Sequence, residues 1–172
     1  MRPSSKFVHD GRLLILDTGV IRELATFRAV HEFHFERIRR DLRFIKTPHA
    51  YEGCARFFDQ FLRKTTTASM VAELHYWIRD TDQNGILRLW DLVYSEFRSL
   101  AMDEEMIKIL KMDINLVARS TLGPVDVSLI EISRQHFSEG ALILTIDSEL
   151  HGECLRAGLP AKHLAEITQS TN

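Results

Sequence analysis

Two segments of the chain are almost entirely apolar, and each is followed by an aspartate. Residues 13–16 precede Asp17, and residues 141–146 precede Asp147. Apolar runs without polar alternation are typical of strands that are covered on both faces, as in the parallel sheets of α/β proteins. In such sheets, ligands bind beyond the carboxyl ends of the strands. We therefore expect Asp17 and Asp147 to lie together at a cation or phosphate site.

Apolar residues at helical spacing predict helices between these strands. The predicted helices cover 20–27, a segment from Pro48 to about Leu62, a segment after the N-cap Ser69, 87–97, a segment capped by Asp103, and a segment from Pro124 to about Phe137. Further short strands are predicted at 64–68, at 98–102 and after Pro160. Strands that alternate with helices predict an α/β protein, with a three-layer α/β/α domain around a central, mainly parallel sheet.

The bulk composition is that of an ordinary globular protein. The 172 residues are 45% apolar and 27% charged, which predicts a single domain over 1–172, with 1–10 and 168–172 frayed. The net charge of −2 does not exclude a polyanionic substrate. Cys54 and Cys154 are too few for a disulfide framework, and no apolar run approaches the ~18 residues that cross a bilayer. We expect a cytoplasmic protein with no membrane partner.

Two further acids lie on predicted helices. With about 100° of rotation per helical residue, Asp126 falls among Leu129, Ile130 and Ser133 on the buried face. An ionised carboxylate there is costly unless a cation or metal accompanies it. Glu73 lies at the edge of the apolar stripe of its own helix, from which it can reach inward. Each acid alone has an ordinary structural explanation, as a turn residue, a cap, a surface charge or the partner of a buried arginine.

Taken together, the acids indicate a metal site. Four carboxylates in one cleft would repel one another unless hard divalent cations lay between them. Mg²⁺ and Mn²⁺ prefer oxygen ligands, so a set composed only of acids fits those metals. Thr18 and Thr145 could support the site by hydrogen bonds to the carboxylates or to a metal-bound water, or could instead satisfy the backbone.

The order of these residues resembles the PIN domain, a fold of metal-dependent nucleases. The matching motifs are Leu16-Asp17-Thr18, Ser69 followed by Glu73, Asp126 before an apolar run, and Thr145-Ile146-Asp147. The resemblance extends from residue 13 to about 164. The chain departs from it in a longer segment over 28–46, an insertion relative to compact members. It also has Glu149 where many members carry a second aspartate, and this residue is either an outer ligand or a solvated charge at a helix start.

The resemblance implies a mechanism and partners. Asp17, Asp126 and Asp147 would hold one or two Mg²⁺ or Mn²⁺ ions, and Glu73 would complete the acidic pocket and orient the attacking water in the hydrolysis of RNA. The protein would be a VapC-type toxin, with a small antitoxin partner and a homodimeric state, or a solitary ribonuclease. The alternative is a catalytically inactive PIN-like domain used for RNA binding or assembly.

The 28–46 segment supplies candidate RNA contacts. Binding of the phosphate backbone needs cations and little base geometry. A solvated helix face would give the same pattern of charges. The candidate contacts are Arg37, Arg39, Arg40 and Arg43.

Overall fold

The computed structural model describes residues 9–82, 88–105 and 122–169. The strands are β1 (His9–Leu16), β2 (Phe61–Thr67), β3 (Met102–Glu105), β4 (Leu142–Thr145) and β5 (Ala161–His163). They form a five-stranded sheet in the order β3-β2-β1-β4-β5, and every neighbouring pair is parallel.

Helices connect and cover these strands. The α-helices are α1 (Thr18–Phe33), α2 (Pro48–Phe58), α3 (Ala68–Thr81), α4 (Leu89–Ser99), α5 (Pro124–Gln135), α6 (Ser148–Arg156) and α7 (Leu164–Gln169). Two 3₁₀ helices, Glu36–Asp41 and Phe137–Glu139, lie in the connections of the described chain. No helix in the described ranges is both long enough and apolar enough to span a membrane.

The central strand, β1, packs against helices on both of its faces. Successive side chains of a strand alternate between faces, and Leu13, Leu14, Ile15 and Leu16 are all at most 1% exposed. Leu14 and Leu16 belong to a core with buried residues of α1, α2, α4 and α7. Leu13 and Ile15 belong to a second core with buried residues of α5 and α6. The predicted three-layer α/β/α architecture is therefore confirmed.

The cap of α3 differs from the prediction. Ser69 was expected to cap this helix, but the N-cap is Thr67, whose Oγ1 accepts a hydrogen bond from the backbone N–H of Met70 at 3.3 Å. Ser69 is already inside the helix, and its hydroxyl lies 2.8 Å from that of Thr67. The reason is that β2 continues directly into α3, so that the last residue of the strand is also the cap.

The third strand predicted at 98–102 is present but lies at Met102–Glu105, and the cap predicted at Asp103 is wrong. Arg98 lies in α4, whereas Asp103 lies in β3 and pairs with Thr65 of β2. The hydroxyl of Thr65 donates to the backbone carbonyl of Asp103 at 3.0 Å. Pairing with β2, a contact between distant parts of the chain, sets the position of this strand. The helix predicted after Asp103 lies outside the described residues.

Two apolar residues lie at the surface instead of in the predicted helical stripes. Leu62 is 70% exposed and belongs to β2, because α2 already ends at Phe58. Phe137 is 54% exposed and follows the end of α5 at Gln135. In both cases the predicted helix was a few residues too long.

Other boundaries extend further than the sequence indicated. The helix expected over 20–27 is α1, which runs from Thr18 to Phe33, so that the first residues of the 28–46 segment complete a regular helix. The last described helix reaches Gln169, within the segment expected to fray, and β1 begins at His9.

Two leucine substitutions test the assignment of core and surface. Leu14→Ala removes a side chain that is 0% exposed, whereas Leu62→Ala removes one that is 70% exposed. We expect Leu14→Ala to lower the free energy of unfolding by ~2–5 kcal/mol, because it removes apolar contacts and leaves a cavity. The matched change at Leu62 should cost less than ~1 kcal/mol. Urea unfolding followed by circular dichroism measures both, and equal losses would contradict the layer assignment.

Candidate active site

Six carboxylates line one cleft of about 370 Å³, and four of them, on separate elements, are the acids that the sequence singled out. Asp17 directly follows β1, and Asp147 lies shortly after the end of β4. Glu73 lies in α3, directly after β2, and Asp126 lies in the first turn of α5. Because the strands are parallel, their carboxyl ends meet at one edge of the sheet. The four acids that the sequence singled out therefore come together in the structure.

Asp17 is the most deeply buried of these acids, with 6% of its surface exposed. The hydroxyl of Thr145 donates to its Oδ2 at 2.6 Å. Burial raises the pKa of the Asp17 carboxyl, the hydrogen bond from Thr145 opposes this increase, and the nearby charge of Glu73 adds to it. The same Thr145 oxygen accepts a hydrogen bond from the backbone N–H of Asp147 at 2.9 Å. One hydroxyl thus joins the segments that carry Asp17 and Asp147.

Glu73 is held from the start of α1. The hydroxyl of Thr18 donates to its Oε2 at 2.6 Å, and Thr18 is only 3% exposed. Thr18 immediately follows Asp17, so this bond ties the end of β1 to the helix that follows β2. The sequence left open whether the two threonines contact carboxylates or the backbone, and in the structure both donate to carboxylates.

Asp126 is electrostatically coupled to the other three acids. Burial raises its pKa to about 6, a hydrogen bond from the backbone N–H of Gly123 opposes this increase, and the charges of Asp17, Asp147 and Glu73 add to it. The Gly123 N–H lies 3.0 Å from its Oδ2. The helix pattern predicted Asp126 on a fully buried face, and the structure places it at the edge of that face, half-buried and lining the cleft.

Asp147 lies at the exposed rim of the cleft and caps α6. Its Oδ1 accepts hydrogen bonds from the backbone N–H groups of Glu149 at 2.7 Å and Leu150 at 3.1 Å. The side chain of Glu149 is exposed and is not among the residues that line the cleft. The geometry favours the interpretation of Glu149 as a solvated charge at a helix start.

The four carboxylates offer the type of ligand atom that a hard divalent cation prefers. Carboxylate oxygens are the ligands that Mg²⁺ and Mn²⁺ prefer. Burial, and secondarily the charges of neighbouring acids, raises the pKa values of Asp17 and Asp126. Among the described residues, however, no group of three or more His, Cys, Asp or Glu side chains is positioned to hold a metal ion. The carboxylates accept hydrogen bonds from neutral donors, which orient them.

Arginines border the acids in the same cleft. Arg40 and Arg43, both predicted as RNA contacts, line it together with Arg22. The other two predicted contacts do not, since Arg39 pairs with Glu36 at 2.8 Å on an exposed surface and Arg37 is exposed outside the lining. The structure therefore retains two of the four predicted arginines at the site.

Arg22 is a cleft residue that the sequence analysis missed. It lies one helical turn after Thr18, and this spacing was the available signal. Its guanidinium carbon lies 5.1 Å from the ring centroid of Trp77, where the ring face attracts the positive charge. This contact orients the Arg22 guanidinium on the side of the cleft formed by α3, which also carries Glu73.

Glu23 is a second residue that the sequence analysis missed. It is 3% exposed and lines the cleft. Its carboxylate accepts hydrogen bonds from the backbone N–H groups of Arg43 at 2.7 Å, Phe44 at 3.1 Å and Ile45 at 3.0 Å. An acid among the apolar residues of α1 was the signal for a buried role. Glu23 fastens the segment that carries Arg43 to the helix that begins at the site.

Gly19 allows the ends of β1 and β4 to approach each other. A Cβ atom at this position would lie 2.4 Å from Cγ1 of Ile146, closer than such atoms can pack. Both residues line the cleft. A side chain at position 19 would therefore displace the side chain of Ile146 beside Asp147.

Comparisons with known proteins give a structural match but no family. No family model matches the chain, and no curated protein matches it. One matching solved structure is described as "A domain of a functionally unknown protein from Methanocaldococcus jannaschii DSM 2661". Its TM-score is 0.43 and its sequence identity is 12%, and the match covers 88% of this chain and 89% of that chain.

The raised pKa of Asp126 makes a testable prediction about stability. This pKa is about 6 in the folded protein, above the ~3.9 of an unfolded chain, so the folded state binds the proton more tightly. The contribution of Asp126 to stability therefore falls as the pH rises from ~4 to ~6. We expect Asp126→Asn, which cannot ionise, to unfold at a higher temperature than the parent above about pH 6 without divalent cations, with no such advantage near pH 4.

Thermal unfolding across this pH range measures the difference. Asp80→Asn makes the same chemical change at an exposed position of α3 outside the cleft, and it should follow the parent profile. Destabilisation of Asp126→Asn at neutral pH would contradict the predicted sign.

Proposed function

We propose that the protein is a Mg²⁺- or Mn²⁺-dependent endoribonuclease that hydrolyses RNA phosphodiester bonds in this cleft. The observation that carries the proposal is the convergence of the four predicted carboxylates, among six in the cleft, with three arginines beyond the carboxyl ends of parallel strands. Further support comes from the PIN-like order of the motifs around Asp17, Glu73, Asp126 and Asp147. RNA as the substrate rests on that resemblance.

Asp17, Asp126 and Asp147 are the residues that would hold the metal. When bound, a divalent cation neutralises charge on the scissile phosphate and lowers the pKa of a coordinated water. The chain itself orients the ligands, since the Thr145 hydroxyl fixes Oδ2 of Asp17 at 2.6 Å. Orientation by hydrogen bonds of this kind is what supporting residues provide around a metal site.

Glu73 is the candidate for orienting the attacking water. Its Oε2 already accepts the Thr18 hydroxyl, while within the described residues its Oε1 has no hydrogen-bond donor. That oxygen can accept a hydrogen bond from water and direct a lone pair of the water oxygen towards phosphorus. Arg22, Arg40 and Arg43 supply the positive charge that brings the phosphate backbone into an otherwise acidic cleft.

A catalytically inactive, PIN-like RNA-binding or assembly domain is the second candidate. The observation in its favour is that no three acids of the described chain are positioned to hold a metal ion. Both candidates use the same arginines, and only the nuclease needs the acids for its activity. The two candidate functions therefore predict different effects of substituting the acids: the nuclease would lose RNA cleavage, and the binding domain would keep its RNA binding.

The resemblance to VapC-type toxins would add a small antitoxin and a second copy of the chain as partners. No contact of the described residues supports either partner. The proposed hydrolysis uses residues of this chain alone and depends on neither of them.

Cleavage of a mixed set of labelled RNAs tests the proposal. We expect cleavage with Mn²⁺ or Mg²⁺ and none with a chelator. Asp17→Asn and Asp126→Asn should each lower the rate at least ~100-fold, more than the loss of an outer-shell partner of a metal ligand. The control Asp80→Asn should stay within about twofold of the parent, as expected for an exposed substitution.

Two outcomes would contradict the nuclease proposal. Cleavage that persists in both variants would place the chemistry elsewhere in the chain. RNA binding without cleavage in either metal, in a folded protein, would support the second candidate.

A further inference from the structure

A second concavity adjoins the acidic cleft. It has a volume of about 240 Å³ and is lined by Arg43, Lys46 and Thr47, by neighbouring apolar residues, and by Thr168 and Gln169 of α7. Arg43 also lines the acidic cleft. The two concavities therefore share Arg43 in their linings, and a chain molecule that occupied both would pass this arginine.

The second concavity has the opposite charge balance to the first. Arg43 and Lys46 are exposed, and within the described residues neither side chain forms an ion pair. None of its described lining residues is acidic. These two cations, without ion-pair partners in the described chain, lie at the end of an acidic cleft. They therefore fit one anionic group of a longer ligand, whose neighbouring anionic group binds in the cleft. The phosphodiester backbone of a nucleic acid has this property, since each phosphate is linked to the next.

The backbone between the two concavities is rigidly held. Glu23 accepts hydrogen bonds from the backbone N–H groups of Arg43, Phe44 and Ile45. The ring of Phe44 packs edge-on against His163, with centroids 5.0 Å apart, and Ile45 is 0% exposed. A segment held in its binding conformation loses less entropy when a ligand binds. Arg43 and Lys46 are thus placed by contacts that involve neither of their side chains.

We propose that Arg43, Lys46 and Thr47 form a second phosphate subsite. It binds a phosphate of single-stranded RNA that flanks the phosphate in the acidic cleft, and Glu23 is a positioning residue that holds the subsite in place. This inference rests on the proposed function, because it assigns the same RNA strand to both concavities. RNA binding measured without metal tests the phosphate subsite separately from the proposed nuclease function, since binding requires no cleavage.

Fluorescence anisotropy of a labelled single-stranded RNA in the presence of chelator tests the subsite. We expect Arg43→Ala and Lys46→Ala each to weaken binding by about fivefold to tenfold and to lower the slope of log affinity against log salt by ~0.7, as for the loss of one phosphate contact to a single strand. Arg98→Ala is the matched control, since Arg98 is an exposed arginine of α4 outside both concavities. Losses no larger than that of Arg98→Ala would overturn the subsite.

Glu23→Gln separates positioning from simple electrostatics. The substitution removes one negative charge from the cleft, so charge alone predicts tighter RNA binding. Positioning predicts weaker binding with a lower salt slope, because the amide cannot accept all three backbone hydrogen bonds. Glu73→Gln removes a charge from the same cleft without contacting 43–45, and it should bind RNA more tightly than the parent. Binding by Glu23→Gln as tight as by Glu73→Gln would overturn the positioning role.

The binding results and the cleavage results are independent. Weaker binding by Lys46→Ala together with absent cleavage would remove the nuclease proposal and keep the phosphate subsite. Normal cleavage with unchanged binding in both cation variants would keep the nuclease and remove the subsite.

Discussion

The hydrogen bond between Thr145 and Asp17 is the interaction on which the candidate site depends. It joins the ends of two neighbouring strands at 2.6 Å in a fully buried position. A buried carboxylate is costly without donors, and Thr145 supplies one while its own oxygen accepts the N–H of Asp147. The same hydroxyl therefore offsets the burial of one acid and sets the backbone position of another. The relative position of Asp17 and Asp147 follows from this contact.

The cleft has a conflict of charges that hydrogen bonds alone do not resolve. The donors to its acids are mainly hydroxyls and backbone amides, which orient a carboxylate without neutralising it. The pKa of Asp126 consequently stays raised, chiefly by burial and further by three neighbouring acids. Native proteins retain such unfavourable arrangements where a site needs them and offset their cost elsewhere. Here the offsetting elements are the fully buried strand β1 and the two cores it separates.

Local patterns predicted the architecture and the four acids, and contacts between distant residues account for what the sequence missed. The position of Asp17 follows from the apolar run before it, because a buried parallel strand leaves its next residue at the ligand-binding edge. Glu23 has no such local rule, since its role depends on backbone N–H groups about twenty residues away. The same limit applies to β3, where pairing with β2 placed Asp103 inside a strand.

The 28–46 segment, predicted as an insertion, is built into the site. Its first residues complete α1, its middle forms a 3₁₀ helix, and its last part is bound to Glu23. The six acids that line the cleft would alone repel a polyanion, so any nucleic acid that enters it needs cations beside them. Two of the three cleft arginines, Arg40 and Arg43, come from this segment. The segment that was predicted as an insertion therefore supplies two of the three arginines that offset the acids of the cleft, together with one further acid, Asp41.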